Sequence, residues 1–197
     1  RQFKVVIPII LIVFCICLIT IFVFFRGTPE GPRAIILDNL GLYDESFSDK
    51  DITFVQETEE LLEDIGVKVD YVGVKDVTLE VYRNLAKYNL VILRVHSGLL
   101  IGEDVVCFFT SEPLLPKNLD KYSEWFSKGY LADATLELRD GTKKHFIGVK
   151  PDFISNCLNG EFENSIIIAM GCNSLESYSM ARAFVNKGAL VYIGWTS

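Results

Sequence analysis

Hydrophobic and polar positions follow three successive patterns along this chain. Residues 5–25 are apolar throughout except for Pro8 and Thr20. A helix of that length spans about 30 Å, the thickness of a bilayer's hydrocarbon core. The run ends in Phe24-Phe25-Arg26, with no small-residue cleavage site after it, so it reads as an uncleaved single-pass anchor occupying residues 1–26. Two positive charges precede the span (Arg1, Lys4) and two follow it (Arg26, Arg33), so their distribution assigns no side of the membrane. Residues 27–33, Gly-Thr-Pro-Glu-Gly-Pro-Arg, form a short linker.

From residue 34 the second pattern begins, with short apolar runs alternating with helical periodicity. Residues 34–38 predict a strand. Residues 53–65 predict a helix carrying Val55, Leu62 and Ile65 on one face and ending at Gly66. A strand over 67–72, a helix over 78–88 with Leu79, Tyr82 and Leu85 aligned, and a buried strand over 90–95 complete a βαβαβ order. That order predicts an open, mostly parallel sheet flanked by helices. The third pattern occupies residues 99–160. There the strand signals at 105–110, 130–138 and 144–149, with a tight Asp140-Gly141 turn, predict a β-rich insertion beside the main sheet. The alternation then resumes with a strand over 165–170, a helix over 175–187, Gly188 as its stop and a last strand over 189–194.

Composition narrows the possibilities. Residues 34–197 carry 15 basic and 25 acidic side chains, a net charge of −10, which argues against nucleic-acid binding through a basic surface. The five cysteines include no CxxC pair, so neither a disulfide framework nor a zinc ribbon is indicated. Cys15 and Cys17 lie in the apolar span, leaving Cys107, Cys157 and Cys172 in the domain at 34–197. The chain starts without Met and stops just after an apolar run, so it reads as a piece of a longer protein, truncated at its C-terminal end.

Ligands of open α/β sheets collect beyond the carboxyl ends of the strands. Two sequences emerge there: Leu90-Val-Ile-Leu-Arg-Val95 runs into His96-Ser97-Gly98, and Ser165-Ile-Ile-Ile-Ala-Met170 runs into Gly171-Cys172-Asn173-Ser174. If the two strands are neighbours, His96 and Cys172 share one edge. An imidazole there can take the proton of a thiol, producing a thiolate nucleophile. Ser174 is placed to cap the following helix, whose positive end would favour that thiolate. Gly98 and Gly171 would let backbone N–H groups approach a substrate carbonyl as an oxyanion hole. Asp38 ends the first strand on the same edge, as a turn acid or as an accessory group orienting His96. His145 reads as a structural side chain on its strand, and Trp125 and Trp195 as packing residues.

The motif Ile168-Ala-Met-Gly-Cys-Asn-Ser-Leu175, with the helix and Gly-Ala strand of Ser179 to Trp195, resembles the caspase-like cysteine peptidases, and the CHAT and gingipain-like members most of all. The resemblance runs over about residues 34–197. It implies a caspase-like sheet in which Cys172 is the nucleophile and His96 its base. It further implies a protein or peptide substrate, and chemistry that needs no metal or organic cofactor. The resulting expectation is a membrane-tethered cysteine endopeptidase. The alternative is a non-catalytic member of the same fold, serving as an interaction or sensor module at the membrane. That alternative rests on Ser97, which separates His96 from Gly98 where the family has glycine directly after histidine.

Overall fold

The apolar runs at residues 34–38, 90–95 and 165–170 become adjoining strands of one parallel sheet. The computed structural model describes residues 31–42, 48–100 and 102–196. Its contacts divide the chain into Arg1–Pro32 and Arg33–Ser197, and the second unit is the subject below. The anchor predicted at residues 5–25, with Cys15 and Cys17, lies outside the described residues. Among the described residues no helix is long and apolar enough to cross a membrane.

The elements in chain order are β1 (Arg33–Asp38), α1 (Ser48–Asp64), β2 (Lys68–Val72), α2 (Leu79–Arg83), a 3-10 turn (Leu85–Lys87), β3 (Leu90–Arg94) and β4 (Ser97–Leu99). There follow β5 (Val106–Pro113), α3 (Pro116–Lys121), α4 (Ser123–Ser127), β6 (Leu131–Glu137), β7 (Lys143–Val149), α5 (Pro151–Cys157), β8 (Ile166–Ala169), α6 (Tyr178–Asn186) and β9 (Val191–Ile193). The main sheet has the order β2-β1-β3-β8-β9 with every pair parallel. A second, antiparallel sheet has the order β4-β5-β7-β6 and corresponds to the β-rich segment read from the sequence. The domain is therefore mixed α/β, with a parallel sheet flanked by helices.

Strand parity assigns the two faces of the main sheet. Ile35, Leu37, Val91, Leu93, Ile167 and Ala169 point into the larger core, where they meet Tyr82 of α2, Phe153 of α5, Met180 and Phe184 of α6, and Phe108 and Ile147 of the second sheet. On the opposite face Ile36 and Ile92 pack under Val55 of α1. Helix α6 buries Met180, Ala183 and Phe184 at the spacing of one helical stripe.

Several boundaries differ from those the periodicity predicts. Ile65 is exposed rather than part of the α1 face. Helix α2 stops at Arg83 because the Asn84 side chain turns back onto Glu80, bonding its carbonyl and its carboxylate at 2.8 Å each, and the chain tightens into a 3-10 turn. Leu79, Tyr82 and Leu85 are nevertheless all fully buried, as their spacing predicts. The short helices α3, α4 and α5 have no counterpart in the sequence reading.

Candidate active site

Strands β3 and β8 are adjacent and parallel, in the register Leu90↔Ile166 to Leu93↔Ala169. Their carboxyl ends therefore open side by side, and His96 and Cys172 both follow at that edge. The two segments touch directly: Ser97 Oγ donates to the Cys172 carbonyl at 2.5 Å. A Cβ on Gly171 would collide with Ser97 Oγ and with the Val95 carbonyl, so only glycine allows this approach. Gly98 lies in β4 opposite Cys107, with open space where a Cβ would be.

His96 is half-buried and held at several points. Its N–H donates to Asn39 Oδ1 at 2.9 Å, and its carbonyl accepts from the Phe109 N–H at 2.9 Å. The ring packs tilted against Phe109, with centroids 6.1 Å apart. Its Nε2 lies 3.2 Å from the Leu40 carbonyl oxygen. A carbonyl only accepts, so Nε2 carries the proton and, in the neutral ring, the lone pair is on Nδ1.

Asp38 is 3 % exposed and lies beneath this arrangement rather than on its surface. Its Oδ2 accepts from Arg94 Nη1 at 2.9 Å, and Arg94 in turn stacks under the Phe54 ring at 4.5 Å. Its Oδ1 accepts from the Leu40 N–H at 3.2 Å. The acid thus neutralises a buried arginine and reaches His96 through Leu40, whose carbonyl takes the imidazole proton.

Cys172 is the exposed thiol of the three in the domain. It stands at the start of an irregular turn in which Asn173 has φ of 55°. Among the described residues the sulfur has no hydrogen-bond partner. The expected cap is displaced: α6 starts at Tyr178, and its N-cap is Ser177, whose Oγ accepts from the Ser179 N–H at 3.3 Å. Ser174 is buried and otherwise engaged. Its Oγ donates to the Ala169 carbonyl at 2.9 Å and accepts from the Trp195 N–H at 3.0 Å. Cys172 consequently stands six residues before the helix, outside the reach of its dipole, which fades within the first turn.

The other thiols are poor nucleophiles. Burial pushes Cys107 up to about 12, and burial raises Cys157 as well. His145 is exposed on β7, its Nδ1 2.9 Å from Asp133 Oδ1 across the β6–β7 ladder. Trp125 packs between Tyr122 and Phe153, while Trp195 is half-exposed. Among the described residues no group of three or more His, Cys, Asp or Glu side chains is arranged to hold a metal ion.

Sequence reasoning passed over Asn39 and Arg94, both buried. Arg94 left a signal, being the charged residue inside an apolar strand that lies beside a strand ending in Asp38. Asn39 left none beyond its place in a turn. At the same edge the chain continues from Leu40 into a recess of about 320 Å³ lined by Gly41, Leu42, Val74, Lys75 and Ser111. No family model and no curated protein matches this chain.

Proposed function

We propose that this chain is a membrane-tethered cysteine endopeptidase of the caspase-like fold, with Cys172 as nucleophile and His96 as base. The observation that carries the reading is the imidazole's anchorage. With the Nε2 proton committed to Leu40, Nδ1 is the nitrogen that takes a proton, and Cys172 follows the strand next to the one that delivers His96. In the reaction Nδ1 accepts the Sγ–H proton as sulfur attacks the peptide carbonyl carbon. The C–N bond then breaks, the leaving amine takes that proton, and water hydrolyses the thioester to return the thiol. The recess beyond Leu40 supports the reading by offering a place for a substrate side chain at the carboxyl edge of the sheet. The tether rests on the apolar stretch at residues 5–25.

The test is labelling of the detergent-solubilised full chain with a thiol-reactive peptide electrophile, followed by mapping of the modified cysteine. Cys172 should react first, with labelling abolished in Cys172→Ser and slowed in His96→Ala. Faster labelling of Cys107 or Cys157, or no effect of His96→Ala, would sink the assignment. The second reading, a non-catalytic interaction module at the membrane, draws on one observation: the contact between the two segments is made by Ser97 Oγ and the Cys172 carbonyl, not by imidazole and sulfur.

A further inference from the structure

We infer that Asn39 is the positioning residue of His96: its side-chain amide is inserted into the first rung between β4 and β5 and fixes both the place and the tautomer of the imidazole. The inference rests on the peptidase reading only for its functional consequence.

The register of β4 on β5 pairs Ser97 with Phe108 and Gly98 with Cys107, so the next residues in line are His96 and Phe109. An antiparallel pair at such a position exchanges two N–H···O bonds. Here one of them is direct, from the Phe109 N–H to the His96 carbonyl at 2.9 Å. The other is replaced by the Asn39 amide. The His96 N–H donates to Asn39 Oδ1 at 2.9 Å, and Asn39 Nδ2 donates to the Phe109 carbonyl at 2.9 Å. The amide thus stands in for a peptide group, its acceptor and its donor each used as the missing rung requires.

Asn39 is fully buried, so neither end can exchange its partner for water. Its own N–H donates to the Arg94 carbonyl at 3.0 Å, which ties the residue to the end of β3 as well. The following residue, Leu40, supplies the carbonyl that receives the imidazole proton. A single residue therefore sets the distance between the His96 backbone and the acceptor of its ring. Aspartate cannot replace it, because an ionised carboxylate has no donor for the Phe109 carbonyl.

The chain has two histidines, and the structure gives them opposite neutral tautomers. His96 carries its proton on Nε2, facing Leu40, and His145 carries its proton on Nδ1, facing the Asp133 carboxylate. Nitrogen-15 spectra of the full chain, labelled at histidine and held in detergent, should therefore show one ring of each kind, with His145→Gln identifying the second. In Asn39→Asp and in the milder Asn39→Ser, the His96 signal should move to a mixture of tautomers. The alkylation rate of Cys172 at neutral pH should fall on the order of tenfold or more. A purely structural Asn39 would lower the thermal midpoint and leave the Nε2–H signature intact, and that result in either folded variant overturns the inference. If neither variant folds, the wild-type spectrum decides, since a mixed tautomer there overturns it. The two readings separate cleanly. Cys172 reactivity that ignores His96→Ala defeats the peptidase, whereas the tautomer measurement judges Asn39 on its own.

Discussion

His96 and Cys172 leave neighbouring strands at one edge, and the two positions are built in contrasting ways. His96 is fixed at its N–H, its carbonyl and its ring, above a buried ion pair. Cys172 is fixed through its backbone carbonyl, while its sulfur faces solvent on a turn. The imidazole belongs to the framework of the domain, and the thiol is mounted on it. Changes beneath His96 should therefore cost stability, and changes at the Cys172 sulfur should not.

The largest effect should come from Asp38→Ala. It removes the carboxylate that faces the buried Arg94 guanidinium, at a cost of about 3–5 kcal/mol in denaturant unfolding. A loss below about 1 kcal/mol would show that the ion pair is not part of the framework. Gly171→Ala comes next, at about 1–3 kcal/mol, because the added methyl meets the Val95 carbonyl as well as Ser97. Adding Ser97→Gly should restore only part of that loss, since the carbonyl contact remains. Full restoration would place the whole constraint in the serine.

A buried thiol sharpens the contrast from the other side. Cys107 stays protonated in the fold up to about 12, while in the unfolded chain it ionises near the ordinary thiol value. The unfolded state then binds fewer protons, so stability falls as pH climbs from about 9 towards 12, by on the order of 1.4 kcal/mol per pH unit from this group. Unfolding curves at successive alkaline pH values should show that slope reduced in Cys107→Ala. An unchanged slope would remove Cys107 as its source. The smallest effect should be that of Cys172→Ser, within about 0.5 kcal/mol of wild type. A cost above 2 kcal/mol would mean that the sulfur is part of the framework and would erase the contrast.

The alternation of strands and helices was legible because β1, β3 and β8 are short apolar runs and β2 alternates apolar with polar residues, with helical periodicity between them. The adjacency of β3 and β8, which brings the two motifs together, was a condition that the pattern left open and the pairing of Leu90 with Ile166 meets. What escaped was long-range hydrogen bonding. Ser174 has the chemistry of a helix cap, yet its hydroxyl is claimed by Ala169 and Trp195, and the second of these lies 21 residues away. The cap passed to Ser177 and the helix began later. Asn39 reads as an ordinary turn residue because its partners, His96 and Phe109, are 57 and 70 positions distant. Helices α3 to α5 were missed because segments of five to seven residues show too few turns for a periodicity.

The passage from β3 to β4 has a mechanical consequence. Arg94 ends β3 in the parallel sheet and Ser97 opens β4 in the antiparallel one, so at this crossing Val95 and His96 alone join the two strands. Two residues hold no slack. A shift of β4 against β3 has no loop in which to be taken up, and the Asn39 amide and the Leu40 carbonyl hold this joint from the side of β1.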